Sequence, residues 1–184
     1  MQGYQQEQKR TMITIIVSTN RQNSYSAKMA ELISRRLDHL NVDSQVLQLS
    51  ELPHDFPYVK IEGHAHDVFD SYVAQYIIPV EKFIFVIPEY NGSFPGILKA
   101  FMDSVHPRHF NGKKSALIGI ASGRSGALRA LDDFTGVLHY LQVDVVHDKP
   151  KFPAIEKAIN NVPELVEEEA SLRLDRCLQK FLRF

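Results

Sequence analysis

A single cysteine, Cys177, stands among the 184 residues, so no internal disulfide can form, and no cysteine pair with zinc spacing exists. That scarcity fits a reducing, cytoplasmic setting. Cys177 falls inside a helical pattern and reads as a packed or semi-exposed thiol rather than a nucleophile. No run approaches the roughly 20 apolar residues that span a bilayer, which argues against a membrane partner. The polar first ten residues lack the apolar centre of a signal peptide. No block of Lys or Arg occurs either: 21 basic against 22 acidic residues leave a formal net charge of -1, and with it no electrostatic footprint for nucleic acid.

Several chemical signatures are missing as well. There is no Gly-x-x-x-x-Gly-Lys of a nucleoside-triphosphate loop and no Gly-x-Gly-x-x-Gly of a dinucleotide fold. The pairs His64/His66 and His106/His109 have neither a partner cysteine nor a His-Glu-x-x-His spacing, and read as loop histidines rather than metal ligands. No Ser/His/Asp or Cys/His set points to nucleophilic catalysis. Asp132 and Asp133 read as helix surface. Glu164, Glu167, Glu168 and Glu169 read as the acidic start of the last helix.

What remains is an ordinary globular composition, 44% hydrophobic and 23% charged, in a length that suits one domain over residues 12–184 preceded by a flexible tail over 1–11. Short apolar runs alternate with amphipathic segments, the pattern of βαβ units in an α/β fold with helices on both faces of a parallel sheet. Strands are expected at 12–17, 44–49, 83–87, 115–120 and 143–146, and helices at 26–40, 67–78, 96–105, 127–141 and 163–181. Residues 53–66 show no clear periodicity, and 148–153 read as an irregular connection. Five strands of this kind fit the doubly wound order 2-1-3-4-5, with ligands at the carboxyl edge where the order reverses.

Three loops would converge there. After the first strand, Thr19, Arg21, Ser24 and Ser26 gather hydroxyls and a guanidinium before a helix N-terminus, where free N–H groups favour an anion of phosphate-monoester size. Ser24 or Ser26 acting simply as a helix cap is the competing reading. After the third strand, Pro88, Glu89, Tyr90 and Asn91 offer a flat ring and an amide, with Gly92 and Gly96 admitting close backbone approach. The alternative is a plain turn at Asn91-Gly92 with Tyr90 covering the sheet edge. The loop after the fourth strand carries Ser122, Gly123, Arg124, Ser125 and Gly126; Arg124 reads as a phosphate contact for an incoming nucleotide or as an exposed solubilising side chain.

The run Pro88-Glu89-Tyr90-Asn91-Gly92-Ser93-Phe94-Pro95-Gly96-Ile97-Leu98-Lys99, with the order and spacing of all three loops, resembles the NADPH-dependent FMN reductase family of the flavodoxin-like fold, over about residues 12–146. The resemblance implies that Thr19, Arg21, Ser24 and Ser26 hold the phosphate of FMN. It implies that Pro88, Glu89, Tyr90 and Asn91 border the ribityl chain and isoalloxazine, and that Ser122 and Gly123 meet the other edge of the ring. It also implies NADPH or NADH as co-substrate, a small flavin, quinone, azo or similar electron acceptor, no catalytic side chain, and a homodimer or homotetramer. The chain departs from the family pattern at Ser18 and Thr19, where Gly-Ser is frequent, at Ser26, where Asn is frequent, and at Ser104, where an aromatic residue follows the Asp. A flavodoxin-like electron carrier is the rival reading, which the near-neutral charge disfavours. A flavin-free binding module is the other.

Overall fold

The computed structural model describes residues 12–184, so the expected tail over 1–11 lies outside the described residues. The chain runs β1 (Ile13–Val17), α1 (Tyr25–His39), β2 (Ser44–Gln48), α2 (Phe56–Ile61), α3 (Asp67–Tyr76), β3 (Lys82–Pro88), α4 (Gly96–Ser104), β4 (Lys114–Ile120), α5 (Leu128–Tyr140), β5 (Asp144–Val145), β6 (Lys151–Phe152), α6 (Ile155–Ala158) and α7 (Glu168–Arg183). All ladders are parallel and the order is β2-β1-β3-β4-β5, the flavodoxin-like arrangement that places the reversal between β1 and β3.

The central strands are largely apolar, with Thr14 and Ser115 as buried polar exceptions, because both of their faces are covered. Alternation sorts their side chains. Ile13, Ile15 and Val17 of β1, with Ile84 and Val86 of β3 and Ala116, Ile118 and Ile120 of β4, pack with Met29, Ile33 and Leu37 of α1 and Leu174, Leu178 and Phe181 of α7. Ile16, Phe83, Phe85, Ile87 and Leu117 face the other way, onto Phe69 of α3, Leu98 and Phe101 of α4 and Leu131, Phe134 and Leu138 of α5. Phe85 and Phe134 meet edge to face with centroids 4.9 Å apart. Each buried ring of this kind contributes about 1.5–3 kcal/mol, so the seat of α5 on β3 rests on apolar burial.

Three segments differ from the sequence expectation. Residues 53–66 contain α2, whose six residues include Pro57 in the first turn and bury only Phe56, too short a stretch to show a helical period. The fifth sheet position is split: β5 pairs with Lys114 and Ser115, the chain leaves the ladder, and β6 returns beyond Pro150 to pair with Gly119 and Ile120. Proline lacks the N–H a continuous ladder needs, and two residues of strand carry no alternation. The last helix begins at Glu168 rather than 163. Pro163 sits in a turn closed by Asn160 and Glu164, whose amides donate to Glu164 O at 3.1 Å and Asn160 Oδ1 at 3.0 Å. Glu164 instead faces Arg35 at 3.4 Å, ahead of the helix.

Candidate functional site

The loops that follow β1, β3 and β4 enclose a cavity of about 240 Å³ at the carboxyl edge of the sheet, lined among others by Arg21, Ser24, Ser26, Pro88, Glu89, Tyr90 and Ser122. Seven of the ten residues expected from the sequence therefore come together. Thr19, Asn91 and Gly123 do not line it.

The floor of the cavity is the start of α1. Ser24 is its N-cap, with extended backbone, and its Oγ accepts the Ala27 amide at 3.2 Å. The capping reading therefore holds for Ser24 and not for Ser26. Ser26 is 1% exposed, and it lines the cavity. The amides of Tyr25 and Ser26 lie in the first turn of the helix, where N–H groups have no intrahelical partner, and no acidic side chain occupies that turn. First-turn amides, the Ser26 hydroxyl and the positive end of α1 form a donor set whose chemistry suits an anion. Arg21 adds the cation. Its guanidinium carbon lies 4.2 Å from the centroid of the Tyr90 ring, at the edge of the same cavity.

The wall after β3 is a tight turn. Asn91 and Gly92 both have positive φ, 52° and 84°, and Tyr90 and Ser93 exchange backbone bonds of 2.9 and 3.1 Å across it. That geometry explains Asn-Gly without reference to a ligand, and Asn91 is exposed outside the cavity. Tyr90 is the residue of the turn that lines the cavity. Its hydroxyl lies 2.8 Å from Thr19 Oγ1, and Thr19 itself is fully buried behind the ring. Ser93 donates to Asp133 Oδ2 of α5 at 2.6 Å, so this surface aspartate anchors the turn.

Glu89 has a structural partner that its sequence neighbourhood does not announce. Its Oε2 accepts the Arg129 amide at 3.2 Å in the first turn of α5, while its own amide donates to Ile120 O at 3.3 Å. The third loop brings Ser122 to the rim, with Gly123 and Arg124 exposed beyond it. Ile155, at the start of α6, also lines the cavity; a four-residue helix beyond an irregular strand gave no signal for it in the sequence. Gln22, Asn23, Tyr25, Ile120 and Ala121 complete the lining as loop and strand-end neighbours of the expected residues.

The histidines sit elsewhere. His66 caps α3, with Nδ1 accepting the Phe69 amide at 3.4 Å, and its Nε2 lies 3.2 Å from Asp55 Oδ1, which holds the Asp55 carboxyl below its ordinary range. His106 and His109 lie edge to face with ring centroids 6.2 Å apart, and burial pushes the His109 pKa down. Among the described residues, no three of His, Cys, Asp or Glu gather as a metal cage. Cys177 is buried on α7 and donates to Asp148 O at 3.3 Å.

A family model described as NADPH-dependent FMN reductase matches residues 11–155. The chain belongs to this family. The chain is also 24% identical over 180 residues to a 2-hydroxy-1,4-benzoquinone reductase from Burkholderia sp., covering 92% of this chain and 93% of that protein. Among solved structures, the flavoenzyme NAD(P)H:(acceptor) oxidoreductase FerB from Paracoccus denitrificans superposes with a TM-score of 0.78 at 19% identity, over 94% of this chain and 96% of that one. An apo NADH:FMN oxidoreductase, EMOB, gives a TM-score of 0.74 at 21% identity, over 94% and 88%. The FMN reductase family places this protein among the flavin oxidoreductases, and the structural likenesses establish the shared fold. No helix among the described residues is long and apolar enough to cross a membrane.

Proposed function

We propose that this protein is an FMN-dependent NAD(P)H oxidoreductase that passes a hydride from NADPH or NADH to a small flavin, quinone, azo or similar acceptor. The observation that supports the reading is the donor set at the start of α1: the Ser26 hydroxyl, the first-turn amides of Tyr25 and Ser26, and Arg21 at the same cavity. A phosphate monoester is the anion such a set suits, because it accepts several charge-assisted bonds at once. FMN, when bound, supplies the hydride-accepting and hydride-donating chemistry.

The chain supplies position. Arg21 and the α1 N-terminus hold the phosphate end. Tyr90, braced by Thr19 and by the Asn91-Gly92 turn, walls the ring end, and Ser122 and Gly123 border its opposite edge. No side chain is assigned a proton-transfer role. The same reading takes the protein as a cytoplasmic homodimer or homotetramer, to be checked by sedimentation.

The test is direct. Purified protein is expected to carry or take up a yellow pigment that is FMN rather than FAD or riboflavin, and to oxidise NADPH or NADH when a quinone is added. A colourless protein that neither binds FMN nor turns over with any acceptor refutes the reading.

A further inference from the structure

Thr19 is polar, fully buried and far from idle. It lies just past β1, at the crossing from the first loop to the third strand's loop, and its one hydroxyl serves two partners. Oγ1 accepts the Arg21 amide at 3.2 Å and meets the Tyr90 hydroxyl at 2.8 Å, 71 residues along the chain. A hydroxyl has one proton and two lone pairs, so both bonds exist together whichever of the two oxygens donates to the other.

The backbone around it is fixed as well. The Thr19 amide donates to Val17 O at 2.9 Å, and the Ser18 amide donates to Val86 O of β3 at 3.1 Å. With the backbone held in this way, turning the Thr19 hydroxyl outward to meet an anion would break both Oγ1 bonds, stranding the Arg21 amide and the Tyr90 hydroxyl. On the other side, Thr19 is the only described side chain hydrogen-bonded to the Tyr90 hydroxyl. The face of that ring lies under the Arg21 guanidinium.

We infer that Thr19 is a positioning residue: its hydroxyl ties the backbone of the arginine-bearing loop to the phenol of the tyrosine wall, fixes the separation of the two ends of the site, and does not itself touch the bound anion. This differs from the expectation that Thr19 shares in holding a phosphate. What the two ends hold rests on the flavin reading above; the coupling of residue 19 to residue 90 does not.

The experiment is a double-variant cycle on the full chain with two readouts. Thr19→Val keeps the volume and removes the hydroxyl, and Tyr90→Phe removes the other half of the bond. In melting of the ligand-free protein, each single variant is expected to melt lower than wild type. The double variant should melt no lower than Thr19→Val alone, because the stranded phenol has gone; additive losses overturn the coupling. In titrations with FMN and riboflavin, Thr19→Val is expected to weaken both by the same factor, about 2- to 10-fold, the size of one hydrogen bond. Thr19→Ser is expected to restore both. Loss confined to FMN would make Thr19 a phosphate ligand and overturn the inference if it persists in an Arg21→Ala background, and would place the effect in the loop that carries Arg21, in keeping with the inference, if it vanishes there. Should Thr19→Val not fold, Tyr90→Phe tests the same bond from its other end, with equal loss for both flavins supporting the inference and no loss overturning it. If wild-type protein binds neither flavin, the functional reading falls and the melting cycle alone decides the coupling.

Discussion

Glu89 and Arg129 join the sheet edge to the first turn of α5: one carboxylate oxygen accepts the Arg129 amide at 3.2 Å, and the other faces its guanidinium at 3.5 Å. The two contacts are unequal. The Glu89 side chain is 12% exposed and satisfies a helix N–H that has no intrahelical partner, whereas the Arg129 side chain is 68% exposed and screened by water. Removing the acceptor costs about 0.5–2 kcal/mol, as for other lost caps, and for a chain this long each kcal/mol moves Tm by about 2–4 °C. Glu89→Ala is therefore expected to lower Tm by about 1–8 °C, Glu89→Gln by less because it keeps an acceptor, and Arg129→Ala by less still. Thermal melting of the three variants checks the order; a drop for Arg129→Ala equal to that for Glu89→Ala would mean the ion pair, not the cap, carries the contact.

Two glycines near the third loop predict opposite behaviour. A Cβ on Gly119 of β4 would stand 2.7 Å from Gly126 O and 2.8 Å from Leu131 Cδ1, so Gly119→Ala forces β4, the loop and α5 apart. Overpacking of this kind costs about 1–3 kcal/mol, which predicts a Tm lower by about 2–12 °C. A Cβ on Gly123 meets nothing within 4 Å, so Gly123→Ala should melt as wild type does. If the backbone at 123 borders the flavin ring as proposed, the same variant is expected to weaken FMN and riboflavin together. Unchanged affinity for both would remove Gly123 from the site.

The sheet order and the convergence of three loops were legible because β1, β3 and β4 are largely apolar runs, each ending in a loop with its own chemistry. The meeting of Arg21, Ser24 and Ser26 at one cavity was legible for a related reason: they sit within one loop and helix start, so local spacing reports their proximity. What the sequence concealed is contact at long separation. Nothing near Glu89 announces Arg129, nothing near Tyr90 announces that Thr19 lies behind its ring, and Ile155 enters the cavity from a helix too short to show a period. Asn91 was ambiguous for a local reason, since a residue that tolerates positive φ in a turn and one that reaches a ligand look the same in sequence.

The thiol of Cys177 is buried on the inner face of α7, and that burial pushes its pKa up from 9.0 to about 12. The folded protein thus holds this proton more tightly than the unfolded chain does. Its contribution to stability is complete below pH 9, is lost progressively as pH rises from 9 towards 12, and changes no further above that. Other groups titrate in the same window, so the readout is a difference: the fall in Tm between pH 8.5 and 10.5 is expected to be smaller in Cys177→Val than in wild type. Thiol reagents at pH 8 are expected to label Cys177 only as fast as the protein unfolds. Rapid labelling of the native protein would contradict the buried placement.

Arg21 contributes to the site through two separable groups, and the separation makes a sharp test. Its amide, bonded to Thr19 Oγ1, holds the loop; its guanidinium lies over Tyr90 and is free to meet an anion at the α1 N-terminus. Arg21→Ala removes only the second. Lost cation–π contact with an exposed arginine is worth about 0.5–1 kcal/mol, whereas a lost charge-assisted bond to a phosphate is worth about 1.5–3 kcal/mol. FMN is therefore expected to bind about 10- to 100-fold more weakly to Arg21→Ala, while riboflavin, which has no phosphate, changes by no more than a few fold. The pattern is the opposite of the equal losses expected for Thr19→Val, so fluorescence titration of the two ligands against the two variants assigns each residue its part. Equal loss of both ligands in Arg21→Ala would mean that the side chain supports the loop and does not grip the phosphate.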